Sequence, residues 1–290
     1  MIENIGIIGA GQMGSGIAHV CVLAGYEVFL SDISKEIVEK SFATIDHNME
    51  RQVARNKLSV EEKEEALAKL HIFVGLNGFK KCDVVIEAIT ENEEIKKSIF
   101  KELAPHLSSQ CLLATNTSSI SVTTLGRATD RPDKFIGMHF MNPVPIMQLV
   151  ELIRGMETSN TTFESIREVV KRLGKKSIVS EDYPGFIVNR ILMPMINEAI
   201  FALFEGVGTV EAIDKGMRLG ANHPIGPLEL ADLIGLDTCF FIMNVLYQGR
   251  GESKYKPCPL LTKYVEAGWL GRKTGRGFYD YKGEQPIPTR

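Results

Sequence analysis

Residues 4–8, Asn-Ile-Gly-Ile-Ile, run directly into Gly9-Ala10-Gly11-Gln12-Met13-Gly14, and apolar residues then recur at helical spacing through Ile17, Ala18, Val20, Cys21 and Leu23. A short apolar strand, three glycines at this spacing and an amphipathic helix leave few topologies open. Gly9 permits the tight turn, Gly11 lets another group approach the backbone, and Gly14 lets the helix pack on the strand. Free N–H groups at the start of such a helix favour negative charge, so the turn is a seat for a pyrophosphate. A second strand over residues 26–31 ends at Asp32, the distance expected of the acid that takes ribose hydroxyls. A carboxylate about 4 Å from a 2′-phosphate would repel it by about 4 kcal/mol per charge at an effective dielectric near 20. Asp32 therefore favours NAD, and Lys35 close by leaves NADP open.

The spacing predicts a long helix over residues 34–56 and a second over 60–70, the latter opened by the capping-box pattern Ser59-Val-Glu-Glu62. This helix pair is an insertion into the usual nucleotide-binding unit, and its tip carries Arg51, Arg55 and Lys57 beside Asn48. Strands over 72–74, 83–87 and 111–115 restore the alternation of strand and helix. The fourth leads through Glu91 into a helix bearing Lys96; the fifth ends in Asn116-Thr117-Ser118-Ser119. Ligands of open parallel sheets bind beyond the carboxyl ends of strands, where this polar cluster lies. Ser119 reads as the N-cap of the next short helix, which leaves Ser118 to point into the crevice.

Residues 135–140 and 148–153 are two further apolar runs separated by Pro143 and Pro145. Each proline removes a backbone donor, so the ladder stops between them. Folded as a hairpin centred near Pro145, the runs bring His139 opposite Glu151. An imidazole facing a carboxylate is a general base with its orienting group, able to move a proton near neutral pH.

A helix at 164–173 and a last strand at 176–180 follow, and beyond Tyr183-Pro184-Gly185 the pattern turns helical. Helices are expected around 191–200, over 210–219, and as one apolar stretch over 228–246. The expected architecture is α/β: a Rossmann-type, mostly parallel sheet with an inserted helix pair over residues 1–183, then an all-helical domain over 184–290. A net charge of −3 gives no reason to expect nucleic acid or a membrane surface as partner, and the five cysteines are scattered without a CxxC pair. Thiols in a reducing cytoplasm fit that pattern better than disulfides or a metal site.

Gly9-Ala-Gly-Gln-Met-Gly14, Asn116-Thr-Ser-Ser, Gly137-Met-His-Phe-Met-Asn-Pro-Val, Leu149-Val-Glu151 and Pro184-Gly-Phe-Ile-Val-Asn-Arg190 together resemble the short-chain (S)-3-hydroxyacyl-CoA dehydrogenases. Within that family the likeness is greatest to its bacterial 3-hydroxybutyryl-CoA branch, and it runs from residue 3 to about 281. The resemblance implies His139 as base and Glu151 as its partner, with Ser118 and Asn189 around substrate and nicotinamide. It implies NAD contacts from the loop from Gly9 to Gly14, Asp32, Glu91, Lys96, Ser118, Asn142 and Lys273. It places CoA on the inserted helices at Asn48 and Arg55, beside the Arg51 that the basic tip itself suggests. A cytoplasmic homodimer joined through the helical domain is expected, acting on an acyl-CoA in fatty acid and butanoate metabolism. Two alternatives remain: a dehydrogenase of a free hydroxy acid or sugar acid, and a non-catalytic NAD-binding protein. The intact His139–Glu151 pair argues against the second.

Overall fold

In the computed structural model, residues 2–289 are described, and they form two compact units, one ending at Tyr183 and the other beginning at Pro184. The first unit opens with β1 (Asn4–Ile8), α1 (Gln12–Leu23), β2 (Glu27–Asp32), the helix pair α2 (Lys35–Val53) and α3 (Val60–Ala68), and β3 (Leu70–Val74). It continues through β4 (Val84–Glu87), α4 (Glu93–Leu103), β5 (Leu112–Thr115), α5 (Val122–Arg127), β6 (Phe135–Phe140), β7 (Leu149–Arg154), α6 (Asn160–Arg172) and β8 (Lys176–Glu181). Among the described residues these strands make one sheet in the order β3-β2-β1-β4-β5-β6-β7-β8. All neighbours are parallel except β6 and β7, which run antiparallel.

The apolar runs explain the layering. Every residue of β4 and β6 is buried, as strands covered on both faces must be. Ile5, Ile7, Val28, Leu30, Val84 and Ile86 meet the inward faces of Ile17, Cys21, Ile45 and Met49 in one core. The chain order reverses between β1 and β4, so the crevice at their carboxyl ends is the topological switch point of the sheet.

Two local expectations shift. The long helix stops at Val53 rather than at residue 56, because Asn56 takes a left-handed conformation with φ 53° and turns the chain. Arg55 thus stands in the turn beyond α2. The capping box at Ser59 is present in both directions: Glu62 N–H donates to Ser59 Oγ at 3.0 Å, and Ser59 N–H to Glu62 Oε2 at 2.8 Å.

The second unit comprises α7 (Val188–Phe204), α8 (Val210–Gly220), α9 (Pro227–Ile234), α10 (Leu236–Arg250) and α11 (Pro259–Glu266), and ends in a short antiparallel pair, β9 (Tyr279–Asp280) with β10 (Ile287–Pro288). The single helix expected over 228–246 is two helices bent by 97°, because Gly235 adopts φ 104° between them. Met193, Ile196, Leu228, Leu236, Met243 and Phe278 form its core. Among the described residues no single helix is long and apolar enough to cross a membrane. The five cysteines are buried free thiols.

Two buried carboxylates pin the tail. Asp232 accepts from Phe278 N–H (3.0 Å), Tyr279 N–H (2.9 Å) and Tyr281 Oη (3.0 Å), and Asp214 accepts from Leu228 N–H, Glu229 N–H and Tyr279 Oη. Burial pushes the Asp232 carboxyl from 3.8 up to about 6, despite those hydrogen bonds. Between these values the folded chain binds more protons than the unfolded one, so stability falls as pH rises through the window and is flat above it. Relative to Asp232→Asn, the native protein should therefore gain about 2 kcal/mol between pH 7 and pH 4. Chemical denaturation of both proteins at the two pH values measures this, and a constant difference between them would disprove it.

Candidate active site

The glycine turn has the geometry of a phosphate seat. Gly9 sits at φ 100°, and a Cβ on Gly14 would lie 1.7 Å from the Gly9 carbonyl oxygen, so only glycine lets α1 start this close to β1. A Cβ on Gly11 would meet nothing within 4 Å, which leaves the outer side of the turn open. No side chain caps α1 among the described residues, so its first N–H groups point outward unpaired by a cap. Asp32 is fixed beside the turn, with Oδ2 accepting from Ala10 N–H at 2.6 Å and Oδ1 from Ile33 N–H at 2.7 Å. A carboxylate offers about four acceptor positions, so two remain for hydroxyl donors. Gln12 is exposed and Met13 half-buried at the helix start. These residues fit a dinucleotide: open donors for a pyrophosphate, and a free-sided acid for ribose.

At the neighbouring strand end, the family resemblance implies two separate cofactor contacts, Glu91 and Lys96. The structure joins them in one network. Lys96 is fully buried; its Nζ donates to Glu87 Oε1 at 2.5 Å and lies 3.6 Å from Glu91 Oε2. Thr115 Oγ1 donates to the second Glu87 oxygen at 2.6 Å. Burial pushes the Glu87 carboxyl above its ordinary range, opposed by the Lys96 ammonium. Glu87 is missed by sequence reasoning, although a carboxylate closing an apolar strand was its signal. Glu91 Oε1 collects Thr117 Oγ1 (2.6 Å), Ser118 N–H (2.8 Å), Ser119 N–H (2.9 Å) and Ser119 Oγ (2.9 Å). One carboxylate oxygen thus folds the whole 117–119 turn. Ser119 is not the helix cap: Ser121 caps α5, accepting from Thr124 N–H at 3.1 Å, because Ser119 is already held by Glu91.

The turn presents Ser118 to the histidine. Ser118 Oγ lies 3.0 Å from His139 Nε2, and His139 Nδ1 lies 2.7 Å from Glu151 Oε2. His139 is 4% exposed and Glu151 is fully buried. The sheet register pairs the two residues directly, as the hairpin reading requires. With Nδ1–H given to the carboxylate, Nε2 faces Ser118 and whatever enters beside it. Asn116 Oδ1 accepts from Phe140 N–H at 2.9 Å and ties the turn to the same strand. The proline turn is held by Lys175, unnoticed in the sequence, whose Nζ donates to Val144 O (2.6 Å) and Met147 O (2.7 Å). Asn142 is exposed at its start.

Asn48 and Arg51 occupy the last turns of α2 and Arg55 the turn beyond. Neither arginine has an acidic partner within 4 Å among the described residues. Asn189 is buried in the first turn of α7, and exposed Lys273 is paired with both oxygens of Asp237 at 2.6 Å. No group of three or more His, Cys, Asp or Glu among the described residues could hold a metal.

A glycine turn with its ribose acid and an acid–base pair on the same sheet define an NAD-dependent dehydrogenase. The chain belongs to the 3-hydroxyacyl-CoA dehydrogenase family: residues 4–183 match its NAD binding domain and 185–281 its C-terminal domain. It is 59% identical to the 3-hydroxybutyryl-CoA dehydrogenase of Bradyrhizobium diazoefficiens over 290 residues, all of this chain and 99% of that one. Human mitochondrial hydroxyacyl-coenzyme A dehydrogenase is 40% identical over 97% of this chain and 92% of its own. The crystal structure of (S)-3-hydroxybutyryl-CoA dehydrogenase from Ralstonia eutropha superposes with a TM-score of 0.94 at 49% identity, covering 98% of this chain and all of that one. The expected family, fold and cofactor are those found.

Proposed function

We propose that this enzyme interconverts (S)-3-hydroxybutyryl-CoA and acetoacetyl-CoA, with NAD taking up or returning the hydride at C3. The observation that carries the proposal is the Ser118–His139–Glu151 relay, at 3.0 and 2.7 Å, in the unit that also holds the glycine turn. In oxidation, His139 Nε2 accepts the 3-hydroxyl proton as the C3 hydride leaves, and the C3–O bond becomes a carbonyl. In reduction, the imidazolium returns that proton to the forming alkoxide. Glu151 holds the ring by Nδ1 and balances its positive charge. Ser118 Oγ shares the substrate oxygen with the imidazole and stabilises charge developing there. Asn189 supplies a second hydrogen bond to substrate, while Asp32, Glu91, Asn142 and Lys273 serve the cofactor. Lys96, with its ammonium enclosed, acts by holding Glu91.

Arg51 and Arg55, two exposed cations without acidic partners among the described residues, meet the nucleotide phosphates of CoA beside Asn48. Arg51→Ala with Arg55→Ala should raise KM for acetoacetyl-CoA but not for acetoacetyl-pantetheine, which lacks those phosphates. Steady-state kinetics with both substrates checks this, and equal effects on the two would refute it. The exposed apolar residues Ile191, Leu219, Leu233 and Phe241 on the helices of the second unit support a homodimer formed through that unit. Five buried free thiols suit a cytoplasmic enzyme, and the four-carbon substrate suits fatty acid and butanoate metabolism.

A further inference from the structure

We infer that His19 and Gln52 form a positioning link that sets the reach of the Arg51–Arg55 tip, and so the enzyme's preference for CoA-linked over truncated substrates. The inference rests on the CoA reading of that tip.

α1, which starts at the glycine turn, is tied to α2 by two polar contacts, one buried and one half-buried. Ser15 Oγ donates to Ala10 O at 3.0 Å and lies 2.6 Å from Ser41 Oγ, near the start of α2. The Gln52 side-chain amide lies 3.0 Å from His19 Nε2, at the end of α2. Gln52 is also a node of the tip itself, since its backbone carbonyl accepts from Arg55 N–H at 3.1 Å and Lys57 N–H at 2.9 Å. One residue thus joins the helix below the cofactor seat to the turn that carries Arg55.

The link is a poor stabiliser, which is why a positioning role is the better account. His19 is 1% exposed, and its Nδ1 has no hydrogen-bond partner among the described residues. Burial pushes the imidazole down to about 4, so it is neutral at ordinary pH and makes no ion pair. A polar pair of buried His19 and half-buried Gln52, with one unsatisfied nitrogen, can be replaced on both sides by apolar groups of similar shape at little loss of stability. What such a replacement does remove is the directional bond that fixes where α2 ends. Met49 is the last buried residue of α2, so the core does not grip the helix beyond it.

The test uses the full-length enzyme carrying His19→Leu with Gln52→Leu, beside His19→Gln and the Arg51→Ala, Arg55→Ala control. KM for acetoacetyl-CoA should rise roughly fivefold in the double leucine variant, with kcat changed less than about twofold, as when exposed phosphate pairs lose their register. KM for acetoacetyl-pantetheine and for NADH should stay unchanged, and Tm should be equal or higher. His19→Gln, whose amide can still bond Gln52, should restore the native KM. If the arginine control discriminates the two substrates while the leucine variant does not, the link is packing alone and this inference fails. If the control itself fails to discriminate, the CoA reading of the tip fails and takes the inference with it.

Discussion

His139→Gln is expected to lower turnover of acetoacetyl-CoA by roughly 10²–10⁴, the range for loss of a positioned acid–base group. Glutamine can still accept from Ser118 or donate to Glu151, but it cannot carry a proton from one to the other. NADH affinity should be close to native, because the glycine turn and Asp32 hydrogen-bond each other and not the relay. The variant should also fold, since an amide leaves Glu151 a donor in place of the 2.7 Å contact. Single-turnover kinetics at saturating NADH separates the proton step from binding. Near-native turnover would make His139 a structural residue and remove the mechanism.

The second large effect concerns the seat of the cofactor, and two glycines of one motif should behave in opposite ways. Gly14→Ala puts a carbon 1.7 Å from a backbone oxygen, so the turn itself must move. Both thermal stability and NADH affinity should fall, stability by about 1–3 kcal/mol as for other overpacked sites. Gly11→Ala meets nothing within 4 Å, and at φ −71° and ψ −167° the backbone accepts any residue. Its stability should be native, while the methyl group occupies the approach of the pyrophosphate. NADH affinity should fall tenfold or more, about 1.4 kcal/mol. Fluorescence titration with NADH and thermal unfolding report on each. Native NADH affinity in Gly11→Ala would mean that the phosphates sit elsewhere.

The parts legible in the sequence are those where one residue type has one use. Three glycines between a strand and a helix, and two prolines between two apolar runs, specify backbone events. The hairpin and the His139–Glu151 register followed from them. Polar residues with several possible partners are less legible. Ser119 and Ser121 are equally good caps in a linear pattern, and the choice between them was made by Glu91, 28 residues from Ser119 in the chain. The enclosure of Lys96 depends on Glu87 closing the adjacent strand, a contact invisible until the helix folds back. Gly235 lies inside an apolar stretch whose period runs on across it, so the bend it makes could not be told from a tolerated helix glycine.

The antiparallel pairing of β6 and β7 has a consequence for heat inactivation. His139 and Glu151 are mounted on neighbouring interior strands, so the ladder between them opens only when the sheet opens. The turn beyond α2 that carries Arg55, by contrast, hangs from the end of an inserted helix, and both Arg51 and Arg55 are exposed. Segments of that kind open at far lower free energy than central strands. On the proposed CoA role of that tip, discrimination between acetoacetyl-CoA and acetoacetyl-pantetheine should therefore fall on warming several degrees before turnover does. Amide exchange should be fast in the turn after α2 and slowest along β6, so that recognition wears away first and proton transfer survives until the sheet itself gives.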